Sequence, residues 1–331
     1  MANIAFFELD KWEEVRAKEE LKNHNLQFFS APLNASNAAK IRNADAIAIF
    51  IYSHITQKIL DKLPKLKFIA TMSTGYDHID LDGCKKRGIK VSNVPFYGEN
   101  TVAEHTFALI LALSRKIIES AERTRRNDFS LDGLMGFDLK GKTIGVIGTG
   151  HIGLHVIRIA KGFEMNVLAF DVKKNASARK IGFRYVSLDT LLKKSDIVTL
   201  HCPYNQATHH LINNKNIGKM KKGALLINTA RGGLVETEAL ANAISKKRIG
   251  GAGIDVLEEE AAVKEEKQLL SKNFQINFKT IVENHLLLSS RKVIVTPHNA
   301  FNSEEALNRI LDATLENINA YIKKKRINAV S

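Results

Sequence analysis

The chain has 331 residues, more than a single hydrophobic core usually holds, so two domains are expected. Its net charge of +14 comes largely from lysines scattered in pairs, which favours solvated helix surfaces over a nucleic-acid-binding face. Cys84 and Cys202 are too few for a disulfide framework and lack the spacing of a metal site. No secretion signal or membrane-length apolar segment is found. We therefore expect a cytoplasmic protein that binds neither nucleic acid nor membrane and holds no metal.

The first hundred residues alternate between short apolar runs and helical patterns, which predicts a parallel α/β sheet. Ligands of such sheets lie beyond the carboxyl ends of the strands, where the chain places Tyr52 and the loop over 73–76. A buried helix is predicted over 101–116. A final helical pattern over 303–323 could return to this first sheet and make its domain discontinuous. The predicted strands of the sheet cover residues 4–9, 26–29, 46–50, 68–71 and 89–91.

A glycine-rich turn between two later predicted strands is the most informative stretch. A short apolar run indicates a buried strand, and Gly148, Gly150 and Gly153 follow it in the G-x-G-x-x-G spacing. A helical pattern then leads to a second apolar strand that ends in Asp171. Free N–H groups at the start of such a helix favour phosphate, and a carboxylate at the second strand end accepts ribose hydroxyls. The pattern predicts a dinucleotide site that prefers NAD, although the lysines at 173–174 leave a 2′-phosphate open.

Polar side chains follow the later predicted strands, at the edge of the sheet where a dinucleotide would lie. Arg231 follows a strand over 225–228, and its planar fork of donors suits a carboxylate. Asp255 ends the next strand, and three glutamates at 258–260 come shortly after it. His298 follows the last strand, and a histidine can exchange a proton near neutral pH. Composition alone does not choose among the three glutamates.

Other histidines of the chain have simpler interpretations. His209 and His210 could suggest a metal pair, but adjacent side chains point apart, so solvated loop histidines are the favoured interpretation. His105 lies in the predicted buried helix, where a structural hydrogen bond is expected.

Taken in order, these motifs resemble the D-isomer-specific 2-hydroxyacid dehydrogenases along nearly the whole chain. The resemblance implies an α/β protein with two doubly wound, parallel-sheet (Rossmann-like) domains and a cleft between them. The substrate domain would be discontinuous and comprise residues 1–99 and 300–331, and the NAD-binding Rossmann domain would comprise residues 100–299. The motifs that carry the resemblance are Ser73-Thr74-Gly75-Tyr76-Asp77-His78-Ile79-Asp80, Asn93-Val94-Pro95, Ala103-Glu104-His105, the turn from Gly148 to Gly153, Asn228 to Gly233, Gly253-Ile254-Asp255-Val256 and Pro297-His298.

The resemblance also implies roles for individual residues. His298 would be the general acid/base, Glu260 (selected by its family spacing from Asp255) its charge partner, and Arg231 the group that holds the substrate carboxylate and carbonyl oxygen. The substrate-binding residues would be Thr74, Gly75, Tyr97, Tyr52 and Phe301. The cofactor-binding residues would be Gly148, Gly150, His151, Ile152, Gly153, Asp171, Cys202, Pro203, Thr208, Thr229, Ala230, Asp255 and Ala300.

The implied activity is that of an NAD-dependent oxidoreductase acting on a small 2-oxoacid or 2-hydroxyacid. The long segment after Glu260, with Ala300-Phe301 after the histidine, is similar to the D-lactate dehydrogenase branch. Crowding by Tyr52, Tyr97 and Phe301 would favour reduction of pyruvate to D-lactate with NADH. A glyoxylate/hydroxypyruvate reductase or a broad 2-oxoacid reductase is the alternative, and an NAD(H)-sensing corepressor-like protein is the alternative of another class. A homodimer through the NAD domain is also implied.

Overall fold

The computed structural model describes residues 1–258 and 278–330, which divide into two compact units. Unit 1 consists of Met1–Tyr97 with the chain from Ser303 onward, and unit 2 consists of Gly98–Asn302. Each unit is built on one sheet whose strands pair in parallel, which confirms the predicted class of two parallel-sheet α/β domains. The assignment of substrate and cofactor binding to separate parts of the chain stays a prediction.

Unit 1 is a parallel sheet flanked by helices. Its elements are β1 (Asn3–Phe7), α1 (Lys11–Glu20), β2 (Asn25–Phe29), β3 (Ala46–Ile49), α2 (Gln57–Leu60), β4 (Phe68–Thr71), α3 (Leu81–Lys86), β5 (Lys90–Ser92) and a C-terminal helix (Glu304–Ile322). The strand order in the described chain is β2-β1-β3-β4-β5. Strands β3 and β4 are buried throughout, as both faces of a covered parallel sheet must be. The C-terminal helix packs here, with the rings of Tyr321 and Phe68 stacked at 4.4 Å.

Unit 2 is the larger parallel sheet. Its elements are α4 (Glu99–Ser114), α5 (Ile117–Thr124), β6 (Thr143–Ile147), α6 (His151–Gly162), β7 (Asn166–Phe170), β8 (Arg184–Tyr185), α7 (Leu188–Lys194), β9 (Ile197–Leu200), β10 (Leu225–Asn228), α8 (Thr237–Ser245), β11 (Gly251–Ile254), α9 (Phe278–Ser289) and β12 (Val293–Val295). The order in the described chain is β12-β11-β10-β9-β6-β7-β8, so the direction of strand addition reverses between β6 and β9. Doubly wound folds bind ligands beyond the carboxyl ends of the strands at such a point.

Helix α4 has the buried position predicted for it. It packs against α6 and against β10 and β11, and small residues of the sheet allow this close approach. A Cβ added to Gly253 would lie 3.0 Å from the Cβ of Leu109 on the helix. Lys116 then takes a φ of 53°, in the left-handed region, and the chain turns from α4 into α5. Helix α5 was not predicted from the sequence.

In the part of the chain that the structure describes, no helix combines the length and apolarity needed to cross a bilayer.

Candidate active site

The glycine turn after β6 has a backbone shape that side chains would obstruct. Gly148 has a φ of 94°, and a Cβ there would lie 2.6 Å from backbone atoms of His201 and Cys202. A Cβ on Gly153 would lie 2.0 Å from the carbonyl oxygen of Gly148, because the start of α6 packs directly on the turn. Gly150 differs, since, its own chain neighbours apart, no atom of the described residues lies within 4 Å of its Cβ position. The turn therefore leaves room for a pyrophosphate at Gly150 and at the N–H groups that open α6.

The carboxylate of Asp171 lies beside this turn, at the end of β7. Its Oδ2 accepts hydrogen bonds from the Thr149 N–H at 2.6 Å and the Thr149 hydroxyl at 2.9 Å, and its Oδ1 accepts from the Lys173 N–H at 2.9 Å. Burial alone would raise the pKa of Asp171, but these hydrogen bonds outweigh burial and lower it. The group is therefore an anionic acceptor at neutral pH, as ribose hydroxyls require. These residues fit NAD.

The loop after β9 faces the same turn. Burial raises the pKa of the Cys202 thiol to about 11, and the nearby Asp171 carboxylate adds to this effect, so the thiol stays protonated. Burial lowers the pKa of His201 to about 3, so this imidazole stays neutral. Farther along, the Thr208 hydroxyl donates to the Pro203 carbonyl at 2.8 Å and closes the loop. The structure thus places the predicted residues Cys202, Pro203 and Thr208 in one loop.

The loop after β10 carries Thr229, Ala230 and Arg231. The Asn228 side chain organises it by accepting from the Ala230 N–H at 3.1 Å and donating to the Arg231 carbonyl at 2.9 Å. The Thr229 hydroxyl is 3.0 Å from the hydroxyl of Thr106 on α4. The Arg231 guanidinium donates to the Ala230 carbonyl at 2.8 Å through Nη1. These contacts define the position of the arginine backbone at the carboxyl edge of the sheet.

A buried carboxylate organises the loop after β12. Asp255 is 1% exposed, and its Oδ1 accepts from the Thr296 hydroxyl at 2.5 Å and from the Asn299 N–H at 3.0 Å. Its Oδ2 accepts from the Ala300 N–H at 2.9 Å. A buried charge is tolerated only when it is compensated in this way. Both oxygens of Asp255 are thus engaged by protein donors, while its predicted contact with nicotinamide stays a prediction.

His298 sits between these anchoring points. Its φ is 57°, a conformation that is uncommon for non-glycine residues and is retained where the surroundings hold it. The backbone N–H of His298 holds this conformation. It donates to the carbonyl oxygens of Asp255 and Thr296, each at 2.9 Å. The next residue adds a possible ligand contact: the buried Oδ1 of Asn299 has no hydrogen-bond partner within the described residues and could accept from a ligand amide.

A second histidine joins this network from α4. The Nε2 atom of His105 is 3.1 Å from the Thr296 hydroxyl and 3.6 Å from Oδ1 of Asp255. Because Thr296 donates its proton to Asp255, the hydroxyl must accept from His105, which requires the Nε2–H form. This confirms the expected structural hydrogen bond of His105. The sequence did not point to Thr296, and its only signal is a hydroxyl residue at the end of a strand.

The interpretation of His209 and His210 as rings that point apart is wrong. The rings stack with centroids 3.8 Å apart, because His210 adopts a left-handed φ of 49° that brings its ring beside its neighbour. The Nε2 atom of His210 lies 2.6 Å from Oε1 of Glu258, whose other oxygen accepts from the Thr237 hydroxyl at 2.7 Å. Glu258 is thus committed to a structural pair. Glu260, the predicted charge partner of His298, lies outside the described residues.

The predicted substrate residues of unit 1 lie on loops after its strands. The Thr74 hydroxyl donates to the Val94 carbonyl at 2.9 Å, and the carbonyl of Gly75 accepts from the Ser73 hydroxyl at 2.6 Å. Tyr52 follows β3 and has 43% of its surface exposed. The structure brings together Arg231, Asp255, His298 and Ala300 on adjacent loops of unit 2, with Phe301 directly after them. It places Thr74, Gly75, Tyr52 and Tyr97 in unit 1.

Comparison with known proteins identifies the family. A family model described as "D-isomer specific 2-hydroxyacid dehydrogenase, NAD binding domain" matches residues 107–300. The D-lactate dehydrogenase of Escherichia coli (strain K12) is 38% identical over 298 residues, which cover 88% of this chain and 88% of that protein. The chain belongs to the D-isomer-specific 2-hydroxyacid dehydrogenases. It is an NAD-dependent oxidoreductase, as the motifs predicted.

Other relatives of this dehydrogenase carry different substrate names. An aromatic 2-oxoacid reductase of Clostridium sporogenes is 35% identical over 315 residues, covering 94% of this chain and 93% of that protein. The crystal structure of a D-lactate dehydrogenase from Aquifex aeolicus, complexed with NAD and lactic acid, shares 38% identity. Its TM-score is 0.89, over 97% of this chain and 96% of that one. The fold and the reaction class are common to these relatives, while the named substrates differ.

The glycine turn allows folding and cofactor binding to be tested separately. Gly153→Ala should lower the free energy of unfolding of the dehydrogenase by about 1–3 kcal/mol, because its Cβ would overlap the Gly148 carbonyl. Gly150→Ala should change it by less than about 0.5 kcal/mol, since its Cβ would point into space that the described part of the chain leaves open, yet it should weaken NADH binding. Urea unfolding and NADH fluorescence titration measure the two effects. Unchanged NADH affinity in a folded Gly150→Ala variant would contradict the assignment of this turn to the pyrophosphate.

Proposed function

We propose that this dehydrogenase reduces pyruvate to D-lactate with NADH, as a cytoplasmic homodimer. The observation that carries the proposal is that Arg231, Asp255 and His298 follow three successive strands, β10, β11 and β12, at the carboxyl edge of one sheet, with Asp255 anchoring the loop of His298. Similarity to proteins named D-lactate dehydrogenase, one of them solved with NAD and lactic acid, supports the substrate. The aromatic residues Tyr52, Tyr97 and Phe301 would limit the size of the substrate side chain.

In this proposal the cofactor is held by the residues of the glycine turn and the loops around it. Backbone groups at Gly148, Gly150, His151, Ile152 and Gly153 bind the pyrophosphate. The ionised Asp171 accepts the ribose hydroxyls and repels a 2′-phosphate, so NADH is preferred over NADPH. The remaining contacts are made by Cys202, Pro203, Thr208, Thr229, Ala230, Asp255 and Ala300. Bound NADH supplies the hydride that reduces the 2-oxo carbon.

The protein groups manage charge and protons during this reduction. Arg231 binds the substrate carboxylate and carbonyl oxygen, and its positive charge stabilises the negative charge that develops on that oxygen. Thr74 and Gly75 contribute backbone groups to the carboxylate. Protonated His298 donates its proton to the same oxygen as the carbon is reduced. We assign Glu260 the role of charge partner of His298, as the family resemblance implies.

Two structural features support the cellular and oligomeric parts of the proposal. The cysteines Cys84 and Cys202 are both free thiols, which suits a reducing compartment. Helix α5 and the segment after it expose large apolar side chains, as a surface that pairs with a second subunit would. These side chains belong to Ile117, Ile118, Phe129, Leu131 and Met135.

The second candidate is a reductase of broader 2-oxoacid range, which the similarity to an aromatic 2-oxoacid reductase favours. A glyoxylate or hydroxypyruvate reductase is a narrower form of this alternative. An NAD(H)-sensing protein without turnover is the alternative of another class. These alternatives give different results with the same substrates, so one set of rate measurements separates them.

We expect NADH oxidation to be fastest with pyruvate, compared with glyoxylate, hydroxypyruvate, 2-oxobutyrate and phenylpyruvate. Chiral analysis should identify the product as D-lactate. The physical reason is steric, because a substrate site of limited size discriminates by roughly 10–200-fold against each added methylene that it cannot hold. Comparable rates across the whole panel would favour the broad reductase. NADH binding without turnover would favour the sensor.

The acid/base role of His298 is tested by His298→Asn. Asparagine tolerates the left-handed backbone that this position requires, so the loop should keep its shape. Loss of the proton donor should lower kcat by about 10²–10⁴-fold while the Kd for NADH changes little. The exposed His285 supplies the control, and His285→Asn should leave both quantities unchanged. A loss of NADH affinity as large as the loss of turnover would contradict the acid/base role.

A further inference from the structure

A partly buried acidic residue just after β1 holds the loop that carries Tyr52. Glu8 directly follows β1, which lies next to β3 in the sheet, so its side chain can reach the loop after β3. One carboxylate oxygen, Oε1, accepts from the Tyr52 N–H at 3.0 Å. The other, Oε2, accepts from the Phe50 N–H at 3.0 Å and forms a short hydrogen bond with the Ser53 hydroxyl. One carboxylate thus binds three residues of a single loop.

The Ser53 hydroxyl extends this attachment to another part of unit 1. Ser53 is 0% exposed, and its Oγ accepts from the Leu33 N–H at 2.8 Å. Because the hydroxyl accepts from Leu33, its own proton is directed to Glu8. The loop is therefore fixed at its buried end, and Tyr52, which lies between the attached residues, has its backbone position determined by the same carboxylate.

Two further properties show that this arrangement is specific. Glu8 has a φ of 63°, in the left-handed region that non-glycine residues occupy when surrounding contacts hold them. Its carboxylate is partly shielded from solvent, and this burial raises its pKa, although the hydrogen bonds from the loop oppose the effect. An acidic side chain in an uncommon backbone conformation and a poorly solvated position needs compensation, and the loop donors supply it.

We propose that Glu8 is a positioning residue for substrate selection, and that its carboxylate holds the Phe50–Ser53 loop in the shape that places Tyr52 against the substrate side chain. Glu8 acts through the loop and does not contact substrate. This inference rests on the proposed role of Tyr52 in limiting substrate size. It assigns the discrimination to a residue that the sequence motifs do not include.

The test compares Glu8→Gln with Glu13→Gln. Glutamine offers one oxygen and an NH₂ group, so it cannot accept all the loop donors that the carboxylate accepts. Glu13 is the matched control, because it is also an acid of unit 1 whose pKa burial raises, but it accepts from the Asp10 N–H just before α1, away from the loop. The readouts are kcat and KM for pyruvate and for phenylpyruvate, with the Kd for NADH measured on the same samples.

We expect Glu8→Gln to raise the ratio of kcat/KM for phenylpyruvate to that for pyruvate by about tenfold, mainly through KM, with the Kd for NADH unchanged. Glu13→Gln should leave the ratio within about twofold of the wild type. A residue that only stabilised the fold would lower both activities together and leave the ratio constant. An unchanged ratio in Glu8→Gln, or an equal change in Glu13→Gln, would overturn the proposal.

A double-mutant cycle with Tyr52→Ala tests whether Glu8 acts through the tyrosine. The change in ratio caused by Glu8→Gln should disappear when Tyr52 is already absent, and its persistence would overturn the proposal. If Glu8→Gln does not fold, Ser53→Ala removes one attachment and should shift the ratio in the same direction by about threefold.

If the wild type does not turn over pyruvate, the proposed substrate is wrong. The ratio is then measured between 2-oxobutyrate and phenylpyruvate, and the same outcomes decide the role of Glu8.

Discussion

The hydrogen bonds that the buried Asp255 carboxylate accepts are the constraint on which the candidate active site depends. The loop after β12 is short and takes a left-handed turn at His298, a conformation that a free loop would leave. Asp255 holds that loop through its side chain, at the N–H groups of Asn299 and Ala300, and through its own carbonyl oxygen at the N–H of His298. A proton donor must be placed to within a fraction of an ångström, and a buried charge with matched donors provides that precision.

The same physical device occurs at other strand ends of the chain. Asp171 at the end of β7 accepts N–H groups from Thr149 and Lys173, and Glu8 after β1 accepts N–H groups from the loop after β3. In each case an acidic side chain at the carboxyl edge of a parallel sheet fixes the backbone of a nearby loop. Loops with ligand-binding residues gain rigidity in this way without a covering layer of apolar side chains, which leaves the edge accessible to polar ligands.

The strands and the glycine turn could be predicted from the sequence because they are determined by local patterns. Buried parallel strands require apolar runs, and the tight approach at Gly148 and Gly153 excludes larger residues. The side-chain networks could not be predicted, since they join residues that are distant in the chain. Thr296 meets Asp255 because β12 pairs with β11, and His105 joins them because α4 packs on β11.

The wrong interpretation of His209 and His210 has the same kind of cause. Adjacent side chains diverge in regular backbone, and only the left-handed turn at His210 stacks the two rings. That turn also gives His210 its bond to Glu258, which composition alone did not distinguish from its neighbouring glutamates. The role of Glu8 was hidden for a related reason, because an acidic residue after an apolar strand is indistinguishable in sequence from an ordinary solvated turn.

Hydrogen exchange in an Asp255→Asn variant tests most directly whether Asp255 anchors the loop that carries His298. An asparagine keeps the volume but replaces an acceptor oxygen with an NH₂ group, so hydrogen bonds to the loop are lost or reversed. Hydrogen bonds to a charged group contribute about 1.5–3 kcal/mol, so the Asn299 and Ala300 amides should exchange roughly 10–100-fold faster. The amides of β6 should exchange as in the wild type. Unchanged exchange at Asn299 and Ala300 would show that Asp255 does not hold this loop, and would contradict the account.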